Sequence, residues 1–176
     1  MARVHRRRRM MWVLMAGFAA LSILDHAGVF GYRPGDRRRY DGARATVRSV
    51  IDGRTIEVDL PDGRSPITRL RLRGLAAPDA EHDAAAEYLR IHLADRNVRI
   101  LLDPNRGPRA PSGELLAYIV ADEGDDTVNA RLIALGLARA ETGEEHVFAL
   151  AFAQREQTAR RQKRGLWAVD MVRGMP

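Results

Sequence analysis

From about residue 45 onward, apolar and polar positions alternate in three consecutive segments of the chain. The segments cover residues 45–50, 55–60 and 67–75, and they are separated by the turn dipeptide Asp52-Gly53 and by a second turn over 61–64. A period of two is typical of strands that bury one face. We therefore predict a three-stranded meander.

After the meander the hydrophobic period changes. Apolar residues recur at helical spacing over 79–94, which predicts a helix. Two further strands are predicted over 98–102 and 115–120, with a proline- and glycine-rich loop over 103–113 between them.

The C-terminal third of the chain is predicted to be helical. Thr127 is a candidate cap for a short helix that Gly136 would end, and a long helix is predicted over 144–164. Five strands with about three helices indicate an α+β fold. A five-stranded Greek-key barrel is one solution that covers most sheet edges, although periodicity alone does not single it out.

A different pattern precedes these segments. Four arginines at 6–9 lead into an apolar run over 10–24, which continues to residue 30 if an Asp-His pair is included. The shorter run fits the core of a signal peptide, and the longer one is long enough to span a bilayer as a hydrophobic helix. We favour an uncleaved signal anchor because Asp-His-Ala at 25–27 makes a poor cleavage site. A cleaved signal peptide and a soluble or peripheral tail are the alternatives.

This arrangement predicts the topology and the domain boundaries. The arginine cluster before the apolar run favours a cytoplasmic N-terminus and an extracytoplasmic domain, or a secreted one if the signal is cleaved. Arginines that follow the run weaken that assignment. We expect an anchor over 1–31, an exposed linker over 32–42, one domain over 43–168 and a tail over 169–176.

Charge is distributed unevenly along the chain. Residues 1–40 hold nine arginines and two aspartates, whereas residues 41–176 hold 20 basic and 21 acidic residues. Domains that bind nucleic acid through phosphate contacts usually carry a basic surplus. The balanced charge of the domain therefore gives nucleic-acid binding no independent support. The chain has no cysteine, which excludes disulfides and thiolate metal sites.

Five short motifs follow one another along the domain. They are Val50-Ile51-Asp52-Gly53-Arg54-Thr55-Ile56, Arg71-Leu72-Arg73-Gly74-Leu75-Ala76-Ala77-Pro78-Asp79, Ser112-Gly113-Glu114-Leu115-Leu116-Ala117-Tyr118-Ile119, Val128-Asn129 with Gly136-Leu137-Ala138, and Arg164-Gly165-Leu166-Trp167. In order and spacing they resemble the motifs of the staphylococcal-nuclease-like (thermonuclease) family, which has an OB-fold. The resemblance implies hydrolysis of DNA and RNA phosphodiesters with one calcium ion, for which carboxylate ligands and arginines are suited.

At the family's functional positions the match is mixed. Arg54 and Ala76 stand where the resemblance places two metal-ligating aspartates, and Glu114 replaces a phosphate-contacting arginine. The other phosphate-contacting arginine is kept as Arg71. Asp79 replaces the glutamate that acts as general base. The resemblance therefore implies a nuclease site that has lost its calcium ligands.

The candidate site residues follow from this comparison. Arg71 and Asp79 are the candidate catalytic residues, Arg54 and Arg71 are the candidate nucleic-acid contacts, and Asp52 is only a weak candidate metal ligand. Simpler interpretations stay open: Arg71 could pair with Asp52 or Asp79, and Asp52-Gly53 could serve only the turn. The cluster at 81–83 could supply replacement ligands, or form the acidic first turn of a helix.

Other polar and aromatic positions have simpler interpretations. We expect His92 and His146 on helix surfaces. The following aromatic residues are predicted to lie in the core rather than to stack on bases: Tyr88, Tyr118, Phe148, Phe152 and Trp167.

Three functions are compatible with the sequence. We favour a non-catalytic binding or scaffold domain that is tethered to the membrane through residues 10–30. The alternatives are an active, divergent metal-dependent endonuclease that uses Asp52 and Asp79, and a nucleic-acid-binding OB module without catalysis. We expect no cofactor except calcium, and calcium only if the chain is an active nuclease. Nucleic acid and an unidentified protein are the possible partners.

Overall fold

The computed structural model describes residues 35–76, 84–122 and 124–168. The predicted signal anchor with its hydrophobic helix, the candidate Asp79, the cluster at 81–83 and the whole predicted tail over 169–176 lie outside these residues. Within the described ranges, no helix is both long enough and apolar enough to cross a membrane.

Five strands form a closed barrel. They are β1 (Arg44–Asp52), β2 (Thr55–Val58), β3 (Thr68–Leu72), β4 (Asn97–Leu101) and β5 (Leu115–Ala121). The order around the barrel is β1-β2-β3-β5-β4, and β4 closes on β1. The β3–β5 pair is parallel and the other pairs are antiparallel. The predicted five strands and the α+β class are confirmed.

Helices complete the fold. They are α1 (Asp36–Tyr40), α2 (Ala84–Leu93), α3 (Val128–Ala134) and α4 (Ala149–Arg161), followed by a 3-10 turn over Gly165–Trp167. Thr127 caps α3 as predicted, since its hydroxyl oxygen accepts a hydrogen bond of 3.1 Å from the Ala130 N–H. Gly136 follows α3 with a positive φ of 71°. A Cβ there would lie only 2.2 Å from the Arg164 carbonyl oxygen, so glycine is required.

The core lies inside the barrel and beneath the helices. The inward positions of the alternating segments supply it, and Val47, Ile56 and Leu70 are fully buried. Tyr118 and Phe152 are buried as predicted, with Phe148 and Tyr88 packed against the core and Trp167 half-buried. The burial of β3 and β4 thus follows the period-two pattern, whereas β5 is buried along most of its length.

Residues 36–40 of the predicted exposed linker are helical, and Arg37, Arg38 and Arg39 among them are exposed. The segment forms α1, in which Asp36 and Tyr40 are buried. The Tyr40 hydroxyl donates to the Pro61 carbonyl oxygen at 2.9 Å, and Asp36 pairs with the buried Arg109. The run of arginines predicted a solvated segment, but the residues on either side of that run hold it against the barrel.

The last long helix begins at Ala149 and not at residue 144 as predicted. The Val147 N–H donates to Asp103 Oδ2 at 2.8 Å, and the neighbouring His146 is buried. Tertiary contacts therefore hold these residues outside the helix, although their spacing fits one. The prediction that His146 lies on a helix surface is also wrong.

Candidate functional site

A cleft of about 360 Å³ opens in the barrel wall beside the end of β3. Its lining brings together Arg54 and Arg71, the two predicted nucleic-acid contacts, with the additional Arg73. The remaining lining comes from the loop between β4 and β5, from β5 itself, from the segment before α4 and from the end of β3. These residues are Gly107, Arg109, Ala110, Pro111, Leu116, Glu141, Glu144, Leu72, Gly74 and Leu75.

Arg54 is positioned by the tight turn between β1 and β2. Asp52 Oδ1 accepts a hydrogen bond of 2.8 Å from the Arg54 N–H, and the Arg54 carbonyl accepts one of 2.7 Å from the Leu72 N–H of β3. The first bond is the local side-chain-to-backbone contact expected of Asp in a turn. The turn interpretation of Asp52-Gly53 is therefore confirmed, and the turn places Arg54 next to the β3 arginines.

Arg71 is engaged by a carboxylate from the start of β5. Parallel pairing sets Leu70 beside Leu115, which brings Arg71 close to Glu114. Arg71 Nη2 donates to Glu114 Oε2 and, at 2.9 Å, to Ser112 Oγ. The side chains of Arg71 and Glu114 are 27% and 18% exposed. The partner of Arg71 is thus Glu114, and not Asp52 as one interpretation had it.

Arg73 could not be identified as a site residue from the sequence, because it occupies a polar position of an alternating segment like its neighbours Arg69 and Arg71. It is only 2% exposed. Its Nη2 donates to the Gly107 carbonyl oxygen at 2.7 Å, and Glu144 Oε1 lies 3.4 Å from Nη1. Within the described part of the chain, Nε and Nη1 make no hydrogen bond. The cleft therefore contains a buried cation whose bonding is incomplete.

Behind the cleft, three polar side chains form a buried chain of hydrogen bonds. The Tyr118 hydroxyl donates to Asp103 Oδ2 at 3.0 Å and lies 2.9 Å from His146 Nδ1. Because the hydroxyl hydrogen is used on Asp103, His146 Nδ1 must carry the hydrogen of the second bond. This leaves His146 Nε2 buried and without a hydrogen-bond partner among the described residues.

Burial and hydrogen bonds set the protonation of this chain. Burial lowers the pKa of His146 below its ordinary value of 6.5. Burial alone would raise the pKa of Asp103, but hydrogen bonds from Val147, Asn105 and Tyr118 outweigh it and lower that pKa. Burial, together with the bond to Asp103, raises the pKa of Tyr118. The neutral histidine and the ionised aspartate are therefore the stable forms near neutral pH.

The described residues do not fit a calcium ion. In them, no group of three or more histidine, aspartate or glutamate side chains is placed to hold a metal. The Asp52 side chain accepts a turn hydrogen bond, Ala76 offers no ligand, and Arg54 is a cation. Calcium takes about six to eight oxygen ligands, whereas Glu141 and Glu144 are the carboxylates that line the cleft.

A second cleft, of about 540 Å³, lies between the end of α2, the start of β4 and α3. Tyr88 and His92 are stacked there with ring centroids 4.0 Å apart. The predicted site residues Arg54 and Arg71 do not line it. The β3 cleft is therefore the candidate functional site.

Comparison with known protein families gives one match. The family model described as staphylococcal nuclease homologue matches residues 54–169, which is 116 of the 176 residues. The matched range contains the β3 cleft, from Arg54 to Glu144. No curated protein matches the chain.

Proposed function

The chain belongs to the family of staphylococcal nuclease homologues, and we propose that it is a membrane-tethered, non-catalytic binding or scaffold domain whose cleft derives from a nuclease site. The observation that carries this proposal is the ion pair between the Arg71 guanidinium and the Glu114 carboxylate. The arginine retained for phosphate contact is paired with an internal carboxylate, in a cleft that holds cations and no metal-ligand cluster within the described ranges.

The loss of metal chemistry is the first step of the argument. A divalent ion near Arg54 would be repelled, because two like charges in a partly dehydrated cleft raise each other's energy. In nuclease chemistry the metal and the arginines stabilise the charge that develops on the phosphoryl oxygens. Removal of one such donor typically costs roughly 10²–10³ in rate, and the loss of the metal costs more.

The second step concerns substrate docking. A phosphodiester that approaches Arg71 would meet the Glu114 carboxylate, which already accepts hydrogen bonds from Arg71 and Ser112. The ligand would have to displace that carboxylate and lie next to its negative charge. This arrangement disfavours the docking of phosphate at Arg71, and it supports a role in which the fold is kept for binding another partner.

One observation supports a different candidate. Arg54, Arg71 and Arg73 line one cleft, which supports a nucleic-acid-binding module without catalysis. The other alternative, a divergent endonuclease that uses Asp79, Asp52 and another metal, rests on the sequence alone. The membrane tether is proposed from the apolar run at 10–30 alone.

A cleavage assay tests the proposal. The full-length chain should be used, since a version beginning at residue 41 would lack Asp36 and Tyr40. It would be incubated with single-stranded DNA and RNA in calcium, magnesium, manganese or chelator, with Arg71→Ala as the site control and Arg155→Ala as a surface control.

We expect no cleavage under any condition from protein shown to be folded by circular dichroism. Metal-dependent cleavage that Arg71→Ala abolishes and Arg155→Ala does not would overturn the non-catalytic proposal in favour of the endonuclease. Tight oligonucleotide binding without cleavage, with an affinity that falls steeply as salt rises, would favour the nucleic-acid-binding module.

A further inference from the structure

Five arginines surround the place where the chain joins the barrel. They comprise three consecutive residues of α1 and one residue each from β1 and β4, and all five are exposed: Arg37, Arg38, Arg39, Arg44 and Arg99. We call this set the N-terminal basic face. The domain from residue 41 onward is almost neutral, so the face is a local concentration of charge.

Backbone pairing brings the five residues to one end of the barrel. Arg44 and Arg99 are direct cross-strand partners. One residue further towards α1, the Ala43 carbonyl accepts from the Ile100 N–H at 2.8 Å, and the Gly42 N–H donates to the Ile100 carbonyl at the same distance. The helix α1 therefore lies directly beyond the Arg44–Arg99 pair.

The charges of this face are poorly compensated. Like charges directly opposite on paired strands repel each other. Arg44 has one carboxylate nearby, Asp122 at 4.0 Å, and its own side chain is 77% exposed. Neither Arg38 nor Arg99 forms an ion pair within the described ranges, and Arg39 contacts the Tyr40 ring. The exposed Asp41 uses Oδ1 to accept from the Leu102 N–H. The face therefore carries a net positive charge.

The basic face is fixed rigidly to the domain. Arg109, whose side chain is 1% exposed, binds Asp36 of α1 at 2.7 Å and Asp62 at 2.6 Å. The Tyr40 hydroxyl adds a bond to Pro61. These contacts prevent α1 from swinging freely with the chain that precedes it. The orientation of the face relative to that chain is thus restricted.

We propose that the N-terminal basic face binds the anionic phospholipid headgroups of the bilayer in which residues 10–30 are anchored. Residues 31–35 separate the apolar run from α1, and they span at most about 18 Å when fully extended. The basic face can therefore reach the bilayer surface, and within about 8–10 Å at ordinary salt it is attracted to anionic headgroups. The inference rests on the proposed membrane tether and adds how the tethered domain is oriented.

The chain has no cysteine, so a single introduced cysteine gives a site-specific probe. Ala43→Cys places a fluorophore within the basic face, and Ala94→Cys places one in an exposed position at the other end of β4. The labelled full-length chain would be reconstituted into vesicles of phosphatidylcholine alone or mixed with phosphatidylglycerol. Quenching by a headgroup-labelled lipid would then be measured at low and at molar salt.

We expect the Ala43→Cys probe to be quenched more strongly on anionic than on zwitterionic vesicles, and the difference to disappear at molar salt. The double change Arg44→Gln/Arg99→Gln, which removes two of the five charges, should clearly reduce the difference. The matched change Arg155→Gln/Arg161→Gln, elsewhere on the surface, should retain it. The Ala94→Cys probe should show no such difference.

The outcomes separate the two proposals. A chain that fails to sediment with vesicles contradicts the tether and the lipid contact together. A chain that sediments, but whose Ala43→Cys probe is quenched equally on both lipids, overturns the lipid contact and leaves the tether standing. The proposed lipid contact is also overturned if the probe does not respond to lipid and the chain instead binds oligonucleotides in a salt-sensitive way that needs Arg44 and Arg99. The basic face would then be a nucleic-acid-binding surface.

Discussion

Two arginine–carboxylate sites of the domain use the same chemistry in different surroundings. Arg109 is 1% exposed and is held by two carboxylates, those of Asp36 and Asp62. Arg71 is 27% exposed and is held by Glu114. Buried pairs are costly to disrupt because the remaining charge has no solvent, whereas exposed pairs exchange readily with water and ions. The first site therefore fixes the fold, whereas the second can lose its carboxylate with little effect on stability.

Removing one carboxylate from the buried site should have the largest effect on stability. Asp36→Ala removes the partner of Arg109 Nε and one of the two partners of Nη2, which still donates to Asp62. We expect a loss of about 3–5 kcal/mol in the free energy of unfolding, measured by urea denaturation. The control Asp126→Ala removes the partner of Arg155 from a pair about 40% exposed on both sides and should cost less than about 1 kcal/mol. Equal losses would contradict a structural role for Arg109.

Gly74 tests the packing between the cleft and the buried hydrogen-bond chain. Its φ is 77°, and a Cβ there would lie 2.6 Å from His146 Cε1 and 2.8 Å from Phe152 Cε2. Gly74→Ala should therefore cost roughly 2–4 kcal/mol, from overpacking and the left-handed backbone together. Gly113→Ala is the matched control, since φ is 93° but no atom lies within 4 Å of the added Cβ. If Gly74→Ala lowers the free energy of unfolding no more than Gly113→Ala does, the packing of His146 and Phe152 against Gly74 is looser than described.

His146 should make stability depend on pH. Its folded pKa lies below the ordinary 6.5, so the unfolded chain takes up the proton first as pH falls. The contribution of the neutral His146 to the free energy of unfolding is therefore complete above pH 6.5. It decreases as the pH falls below 6.5, by at most about 1.4 kcal/mol per pH unit. Urea denaturation at a series of pH values measures this slope. His146→Gln should flatten it, and His92→Gln, at an exposed position, should not. An unchanged slope in His146→Gln would exclude this histidine as its source.

Replacing Glu114, the partner of Arg71, should have the smallest effect on the free energy of unfolding among these changes. Its main effect should be on the affinity for oligonucleotides. Because both side chains of the pair are partly exposed, Glu114→Gln should alter the free energy of unfolding by less than about 1 kcal/mol. It removes the negative charge beside Arg71, so oligonucleotide affinity measured by fluorescence anisotropy should rise roughly fivefold. Glu57→Gln, which releases Arg69 outside the cleft, is the control. Unchanged affinity in Glu114→Gln would show that the carboxylate does not close the cleft.

The barrel could be predicted from the sequence because its determinants are local. Period-two alternation, the Asp52-Gly53 turn and the Thr127 cap act over a few residues, and the structure confirms each of them. The start of the last helix could not be predicted, since it depends on a hydrogen bond from Val147 to the distant Asp103. Helical spacing carries no information about such tertiary contacts.

The candidate site was predictable only in part. The motifs brought Arg54 and Arg71 to attention, and the structure places both in one cleft. The pairing of Arg71 with Glu114 depends on the parallel register of β3 and β5, which no local pattern specifies. Arg73 and Arg109 were missed, because the sequence does not distinguish a buried arginine from the many exposed ones.

Calorimetric titration of calcium into the full-length chain tests most directly the proposal that the cleft lacks the ligands for a metal ion. The wild-type chain and the double variant Arg54→Asp/Ala76→Asp would be titrated under the same conditions. The proposal predicts no saturable binding to the wild-type chain and saturable binding to the variant, which gains two carboxylates. Saturable calcium binding by the wild-type chain would contradict it and would restore the endonuclease as the leading function.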